Sequence, residues 1–100
     1  MNDDQDNLNV LRKIQKKPNS TQREFAKELG FSLGKFNYCI KALKQKGFIK
    51  IKNFKQNPKK INYLYVLTPK GIIEKTELTV NFMKMKMQEY DELKKELKGK

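Results

Sequence analysis

The sequence has no histidine and only one cysteine, so it is poor in the residues that most metal and redox sites use. A single cysteine cannot form an internal disulfide, and without histidine it does not complete a zinc site. The commonest general base is also missing, and no phosphate-binding glycine loop occurs. We therefore expect no enzyme activity, no cofactor, and no catalytic or metal-binding residue.

Long apolar runs are missing as well. No segment has the length of a signal-peptide core or of a membrane-spanning helix, so we expect a cytoplasmic protein. One hundred residues, 37% of them hydrophobic, make one small unit. Its core is marginal unless the chain oligomerises.

Acidic residues are absent from the central 45 residues, 29–73, whereas ten lysines lie there. These lysines account for ten of the twelve net positive charges of the chain. The carboxylates are confined to the two ends. A folded surface in plain contact with water usually mixes both signs, so this block indicates a polyanionic partner.

Residues 21–46 (TQREFAKELGFSLGKFNYCIKALKQK) have the spacing of two helices joined by a tight turn. Thr21 can cap the first helix, and Glu24 can complete a capping box. Gly30 permits the left-handed conformation that ends this helix. A small residue at Ala26, with large apolar residues around it, is typical of a DNA-binding helix-turn-helix. The alternative is an αα-hairpin inside another helical domain, and the lysine block favours the first interpretation.

The second helix of this pair, residues 33–46, is the predicted recognition helix. Its apolar residues are Leu33, Phe36, Cys39, Ile40 and Leu43. Its polar face carries asparagine and glutamine, which can pair with adenine, and lysine, which can reach guanine. A plain solvated face is the alternative, but such a face would typically contain glutamate and this one has none. The predicted DNA contacts in this region are Thr21, Ser32, Gly34, Lys35, Asn37, Tyr38, Lys41, Lys44 and Gln45.

The flanking segments complete a winged helix. Residues 2–17 predict a first helix, capped by Asn2 and stopped by Pro18. Residues 48–54 and 63–68 predict two strands, joined by a turn that includes residues 56–58. The predicted fold class is therefore mainly α with a small β-hairpin. The lysines of the hairpin tip are predicted to contact phosphates or the minor groove, or alternatively to provide solubility alone: Lys55, Lys59 and Lys60.

The last predicted helix, residues 68–97, has balanced charge and two apolar stripes. A helix that is apolar on two sides needs two partners. We expect one side to pack on the first helix and the other to meet a second subunit; the alternative is a single core face. The predicted dimerisation residues are Ile73, Val80, Met83, Met87, Tyr90 and Leu97. The second stripe is Leu78, Phe82 and Met85. The predicted domains are a winged helix-turn-helix at 1–71 and a dimerisation helix at 72–100.

Two segments carry a family resemblance: TQREFAKELGFSLGKFNYCIKALKQKGFIKIKNF and YLYVLTPKGI. Together they resemble the MarR-type winged helices, and more narrowly the small MarR-like regulators associated with exopolysaccharide gene clusters. The resemblance implies a homodimeric bacterial transcriptional regulator that places its recognition helix in the major groove of double-stranded DNA. The Asp–x–Arg pattern common in the hairpin of larger relatives is missing, so lysines would serve there. Only one C-terminal helix is present where larger relatives have two, so their inter-helical ligand pocket is not expected, and an effector is left open.

Three hypotheses for the function follow from these observations. The first is a sequence-specific DNA-binding regulator that acts as a homodimer. The second is an RNA-binding winged helix, in which exposed Tyr63 or Tyr65 would stack on unpaired bases. The third is a coiled-coil module whose last helix pairs with another protein. Charge alone does not distinguish DNA from RNA.

Overall fold

The computed structural model describes the backbone of residues 3–57 and 60–99, and the side-chain surroundings of residues 4–53 and 63–99. In these residues three helices, an antiparallel β-hairpin and a fourth helix follow one another, which confirms the predicted fold class. The predicted cap Asn2 lies outside the described residues. The elements are α1 (Asp3–Lys16), α2 (Gln22–Leu29), α3 (Leu33–Gln45), β1 (Ile49–Asn57), β2 (Lys60–Leu67) and α4 (Pro69–Lys98).

Local capping determines both ends of α2. The Oγ1 of Thr21 accepts a hydrogen bond from the Glu24 backbone N–H at 3.1 Å, and Glu24 Oε1 accepts one from the Thr21 N–H at 3.0 Å. The N–H of Thr21 thereby holds the pKa of the Glu24 carboxyl below its usual value. At the other end Gly30 has φ +74°, and the Phe31 N–H donates to the Ala26 carbonyl at 2.8 Å. This turn ends α2 and directs the chain into α3.

An aromatic cluster joins α2, α3 and the hairpin. The ring of Phe25 stacks on Phe36 with centroids 5.5 Å apart, and Tyr65 meets Phe25 edge-on at 5.4 Å. Burial raises the pKa of the Tyr65 phenol. Because these rings are inaccessible to water, α3 has a fixed orientation relative to α2 and β2. The core contains Leu8, Val10, Leu11, Ile14, Phe25, Ala26, Phe36, Cys39, Ile40, Leu43, Ile49, Tyr65 and Leu78.

A second junction fixes the start of α4 against the end of α3. The Thr68 hydroxyl accepts a hydrogen bond from the Gly71 N–H at 3.0 Å and donates one to the Gly47 carbonyl. A Cβ atom at Gly71 would lie 1.9 Å from the Phe48 carbonyl oxygen. Only glycine fits there, which gives the TPKG stretch of the sequence a physical reason.

The hairpin is longer than the sequence predicts. β1 continues to Asn57 and β2 begins at Lys60, and these two residues are still paired. The predicted turn at Gln56 and Asn57 is therefore wrong, because both belong to β1; an irregularity in the pairing falls between Lys55 and Asn57. Pairing between the strands outweighs the local preference of these polar residues for turns. Pro58 lies outside the described residues.

The helix α4 docks on the rest of the molecule with one of its two apolar stripes. Leu78 is buried, and Phe82 packs against the core; both line a small cleft with Leu8 of α1. From Met83 onwards, the large apolar residues of α4 are exposed. Within the described part of the chain, none of the helices combines the length and apolarity needed to cross a membrane.

Candidate nucleic-acid interface

The helix α3, which is the predicted recognition helix, has one face in the core and one in solvent. Its buried side chains are anchored against the aromatic cluster, so its outer face cannot turn inwards. Leu33, one of the apolar residues of this helix, is 38% exposed and faces a cleft between the start of α2 and β2. The exposed residues of the outer face are Gly34, Asn37, Tyr38, Lys41, Lys44 and Gln45.

Three of these residues form a row along the helix. Asn37, Lys41 and Gln45 are each four residues apart, so their side chains are neighbours about 6 Å apart. Tyr38 stands beside this row with 69% of its surface exposed. A Cβ atom at Gly34 would meet nothing within 4 Å, so the backbone there is open to close approach. Amide and ammonium groups in such a row match the donors and acceptors of base edges in a major groove.

The two helix caps border this face. The Ser32 Oγ accepts a hydrogen bond from the Lys35 backbone N–H at 3.1 Å, and Thr21 caps α2 in the same way. A cleft of about 450 Å³ lies beside Thr21 and is also lined by Arg23 and Tyr63. Arg23 was not among the predicted contacts. It is one of only two arginines in the chain, and its planar guanidinium suits phosphate, so the signal was present in the sequence.

Lys35 lies on the flank of α3 that is opposite Lys44. At 100° per residue it is about 180° around the helix from Lys44. Its Nζ lies 3.1 Å from Asp6 Oδ2 of α1 and 4.2 Å from the centroid of the Phe31 ring. The structure therefore brings Lys35 to α1 rather than to the row of Asn37.

The hairpin adds cations from β1. Lys50 and Lys52 are exposed there, two residues apart and thus on one face of the strand, although neither was a predicted contact. The backbones of Lys55 and Lys60 are at the far end of the hairpin. Their side chains, and the whole of Lys59, lie outside the described residues. Their contacts with DNA remain predictions.

The tyrosines of β2 have different surroundings. Tyr65 is 2% exposed and enclosed by Phe25 and Phe36, so it cannot stack on an unpaired base. Tyr63 is 51% exposed. Of the two tyrosines that the RNA hypothesis names, Tyr63 is therefore the one that remains accessible for stacking.

The carboxylates near this region are already engaged. Glu28 of α2 lies 3.0 Å from the Lys17 Nζ and 3.5 Å from the Lys13 Nζ. The hydrogen bond from Lys17 is the main cause that lowers the pKa of the Glu28 carboxyl. Residues 33–57, which form α3 and β1, contain no acidic residue. The positive charge of this surface is therefore not offset by acidic residues of α3 or β1, and such a surface suits a polyanionic partner.

The predicted dimerisation residues of α4 lie on a free surface. All six, from Ile73 to Leu97, are exposed, and Leu97 is 83% exposed. Ile72 and Leu93 are exposed too and were not predicted. The stripe matches a heptad seam: Ile73, Val80 and Met87 are seven apart. The predicted boundary of the winged domain at residue 71 falls inside α4, which begins at Pro69, and remains a prediction.

The chain is similar to known DNA-binding folds. Residues 7–50 match a family described as winged helix-turn-helix DNA-binding. The S. aureus MarR in complex with salicylate and kanamycin is 20% identical, with TM-score 0.66 over 86% of this chain and 56% of that one. Streptococcus pneumoniae FabT in complex with DNA is 24% identical, with TM-score 0.63 over 87% and 59%. A single-residue mutant of S. aureus MepR bound to an oligodeoxyribonucleotide is 22% identical, with TM-score 0.66 over 98% and 75%. Among curated proteins, no sequence matches the chain.

These similarities define the class of the fold. The protein is a winged helix-turn-helix protein with a long C-terminal helix, and its architecture is that of MarR-type structures. The chain spans a little over half the length of the MarR and FabT structures that it matches.

Proposed function

We propose that this protein is a transcriptional regulator of the MarR type that binds double-stranded DNA as a homodimer. The observation that carries this proposal is the outer face of α3, which is exposed, free of acid and held in place by the aromatic core. An α-helix fits the B-DNA major groove, where all four base pairs differ in their donors and acceptors. FabT and MepR have this fold and were solved with DNA.

The polar residues divide into two roles. Asn37, Lys41 and Gln45, with Gly34 and Tyr38 beside them, lie on the most outward part of α3 and are proposed to read bases. Groups on the rim are proposed to hold the phosphate backbone, because they lie beside the helix or on the hairpin. The proposed phosphate contacts are Thr21, Arg23, Ser32, Lys44, Lys55, Lys59 and Lys60.

The homodimer rests on the exposed stripe of α4. Met83, Met87 and Tyr90 are exposed together with Ile73, Val80 and Leu97, and contiguous apolar surface of this kind marks an interaction site. The helix has as many lysines as acidic residues after residue 72, so a polyanion is not its partner. A second copy would present the same stripe and would place two recognition helices on two half-sites.

The finer parts of the proposal rest on sequence resemblance. Control of exopolysaccharide genes is inferred from the small MarR-like regulators that the segments around α2, α3 and TPKG resemble. Action in the bacterial cytoplasm, where the chromosome lies, follows from the same resemblance.

Selection of bound sites from random duplex DNA tests the function directly. The wild-type chain should enrich one motif with two-fold symmetry, whose halves are one helical turn apart or a multiple of it. Competition with single-stranded RNA of the same length should not displace the selected duplex. Enrichment of no motif, or preferential binding of the RNA, would contradict the proposal.

A further inference from the structure

The ion pair between Lys35 and Asp6 joins the recognition helix to α1. Lys35 Nζ lies 3.1 Å from Asp6 Oδ2, and 38% and 19% of the two side-chain surfaces are exposed. The ammonium also lies 4.2 Å from the Phe31 ring centroid, so both the ring and the carboxylate attract it. Lys35 is thus restrained from both sides, unlike the exposed Lys41 and Lys44 on the same helix.

The position of Lys35 would otherwise place it close to DNA. A helix with its side chains is about 10–12 Å wide, and the major groove is about 12 Å wide, so both flanks of a docked helix lie near a phosphate strand. Lys44 occupies one flank of α3 and Lys35 the opposite flank. A free ammonium on the Lys35 flank would contact phosphate whatever the base sequence.

We propose that Asp6 is a specificity-determining residue, which holds Lys35 away from the phosphate backbone and so limits sequence-independent DNA binding. The inference rests on the proposed function. Its physical basis is that each phosphate neutralised by a lysine adds the same affinity to every duplex and therefore lowers the ratio of specific to random binding. The carboxylate of Asp6 takes the place of that phosphate within the chain.

The test measures binding of a random-sequence duplex against salt concentration for the wild-type chain and its Asp6→Asn and Lys35→Gln variants. Asp6→Asn should make the slope of log K against log salt steeper by roughly 0.9 per bound protomer. Extrapolated over the decade from 1 M to 0.1 M salt, this change corresponds to an affinity up to about eightfold higher at 0.1 M. Lys35→Gln alone should leave the slope unchanged. In the Asp6→Asn background, Lys35→Gln should return the slope to the wild-type value.

Asp4→Asn is the matched control, because Asp4 lies on the same helix, is exposed and changes the net charge by the same amount. An Asp6→Asn slope equal to that of Asp4→Asn would overturn the proposal. So would a drop of about 0.9 for Lys35→Gln when Asp6 is intact, since Lys35 would then contact phosphate despite the ion pair.

A second measurement needs no DNA and separates this inference from the proposed function. Acetylation of the free protein with acetic anhydride, followed by mass spectrometry, should modify Lys35 more slowly than Lys41. Asp6→Asn should increase the rate at which Lys35 is acetylated, and Asp4→Asn should not. Equal rates at Lys35 and Lys41 in the wild-type chain would overturn the inference, whereas a failure of that chain to bind duplex DNA would contradict the proposed function.

Discussion

The winged domain and the second half of α4 differ in the exposure of their apolar side chains and in the signs of their charges. Phe25 and Phe36 are 0% exposed in the winged domain, whereas Met83, Tyr90 and Leu97 of α4 are all largely exposed. Residues 29–73 carry lysines without acid, whereas α4 beyond residue 73 mixes both signs. A closed core with a surface of one sign suits a polyanion, and an open apolar stripe with balanced charge suits another protein chain.

Gly71→Ala should destabilise the winged domain, and it has the largest expected effect on folding. The new Cβ would lie 1.9 Å from the Phe48 carbonyl oxygen, which is backbone and cannot move aside. We expect a loss of about 3 kcal/mol or more in the free energy of unfolding, measured by urea denaturation. Gly34→Ala is the control, because its Cβ meets nothing within 4 Å and alanine favours helix. Equal stability of the Gly71 variant and the wild-type chain would contradict the account of this junction.

Met83→Asp should disrupt the proposed dimer interface of α4. A carboxylate in the proposed apolar interface is expected to weaken the dimer by about 3 kcal/mol, because the charge loses water without gaining a partner. Sedimentation velocity should show a shift towards monomer at micromolar protein. Met85→Asp is the matched control, since Met85 is exposed on the other stripe, roughly 160° around the helix. Dissociation by Met85→Asp but not by Met83→Asp would show that the other stripe forms the dimer.

Replacing Lys59 and Lys60 together by glutamine should sharpen the description of the winged half. If each contacts a phosphate, the slope of log K against log salt becomes shallower by about 1.8 per wing. Extrapolated from 1 M salt, this change corresponds to a loss of roughly 30-fold in affinity at 0.15 M. A salt titration on the selected site and on a random duplex measures this, and both should weaken alike. A loss confined to the selected site would instead assign base reading to the hairpin.

Cys39→Val should have the smallest effect. Cys39 is 6% exposed and packs in the core on the inner side of α3, where an apolar environment makes a thiol less reactive. The change in volume is small, so the free energy of unfolding should change by less than about 1.5 kcal/mol. DNA binding before and after peroxide treatment should match the wild-type chain. Loss of a peroxide response in the variant would identify Cys39 as a redox sensor.

The features that the sequence predicted well are local ones. The capping box of Thr21 and Glu24 and the left-handed Gly30 depend on residues within four positions of one another. Because these signals are short-range, the cap of α2 at Thr21 and its end at Gly30 were predicted correctly, and the bounds of α3 were predicted within one residue.

The features that the sequence missed depend on distant parts of the chain. The burial of Tyr65 requires Phe25 and Phe36 from two other elements, and the ion pair of Lys35 requires Asp6 from α1. The greater length of the hairpin depends on pairing between strands, which local turn preference does not report. Base contacts and dimerisation involve partners beyond this chain, so they stay predictions.

Asn37→Ala tests most directly the central claim that the outer face of α3 reads bases. Truncation should cost about 1–3 kcal/mol on the selected duplex and little on a random duplex of the same length and salt, because the lost amide contacts one base pair and no phosphate. Anisotropy titrations of both duplexes at one salt concentration measure the ratio. An equal loss on the two duplexes would mean that Asn37 acts through the backbone or the fold, and would contradict the account.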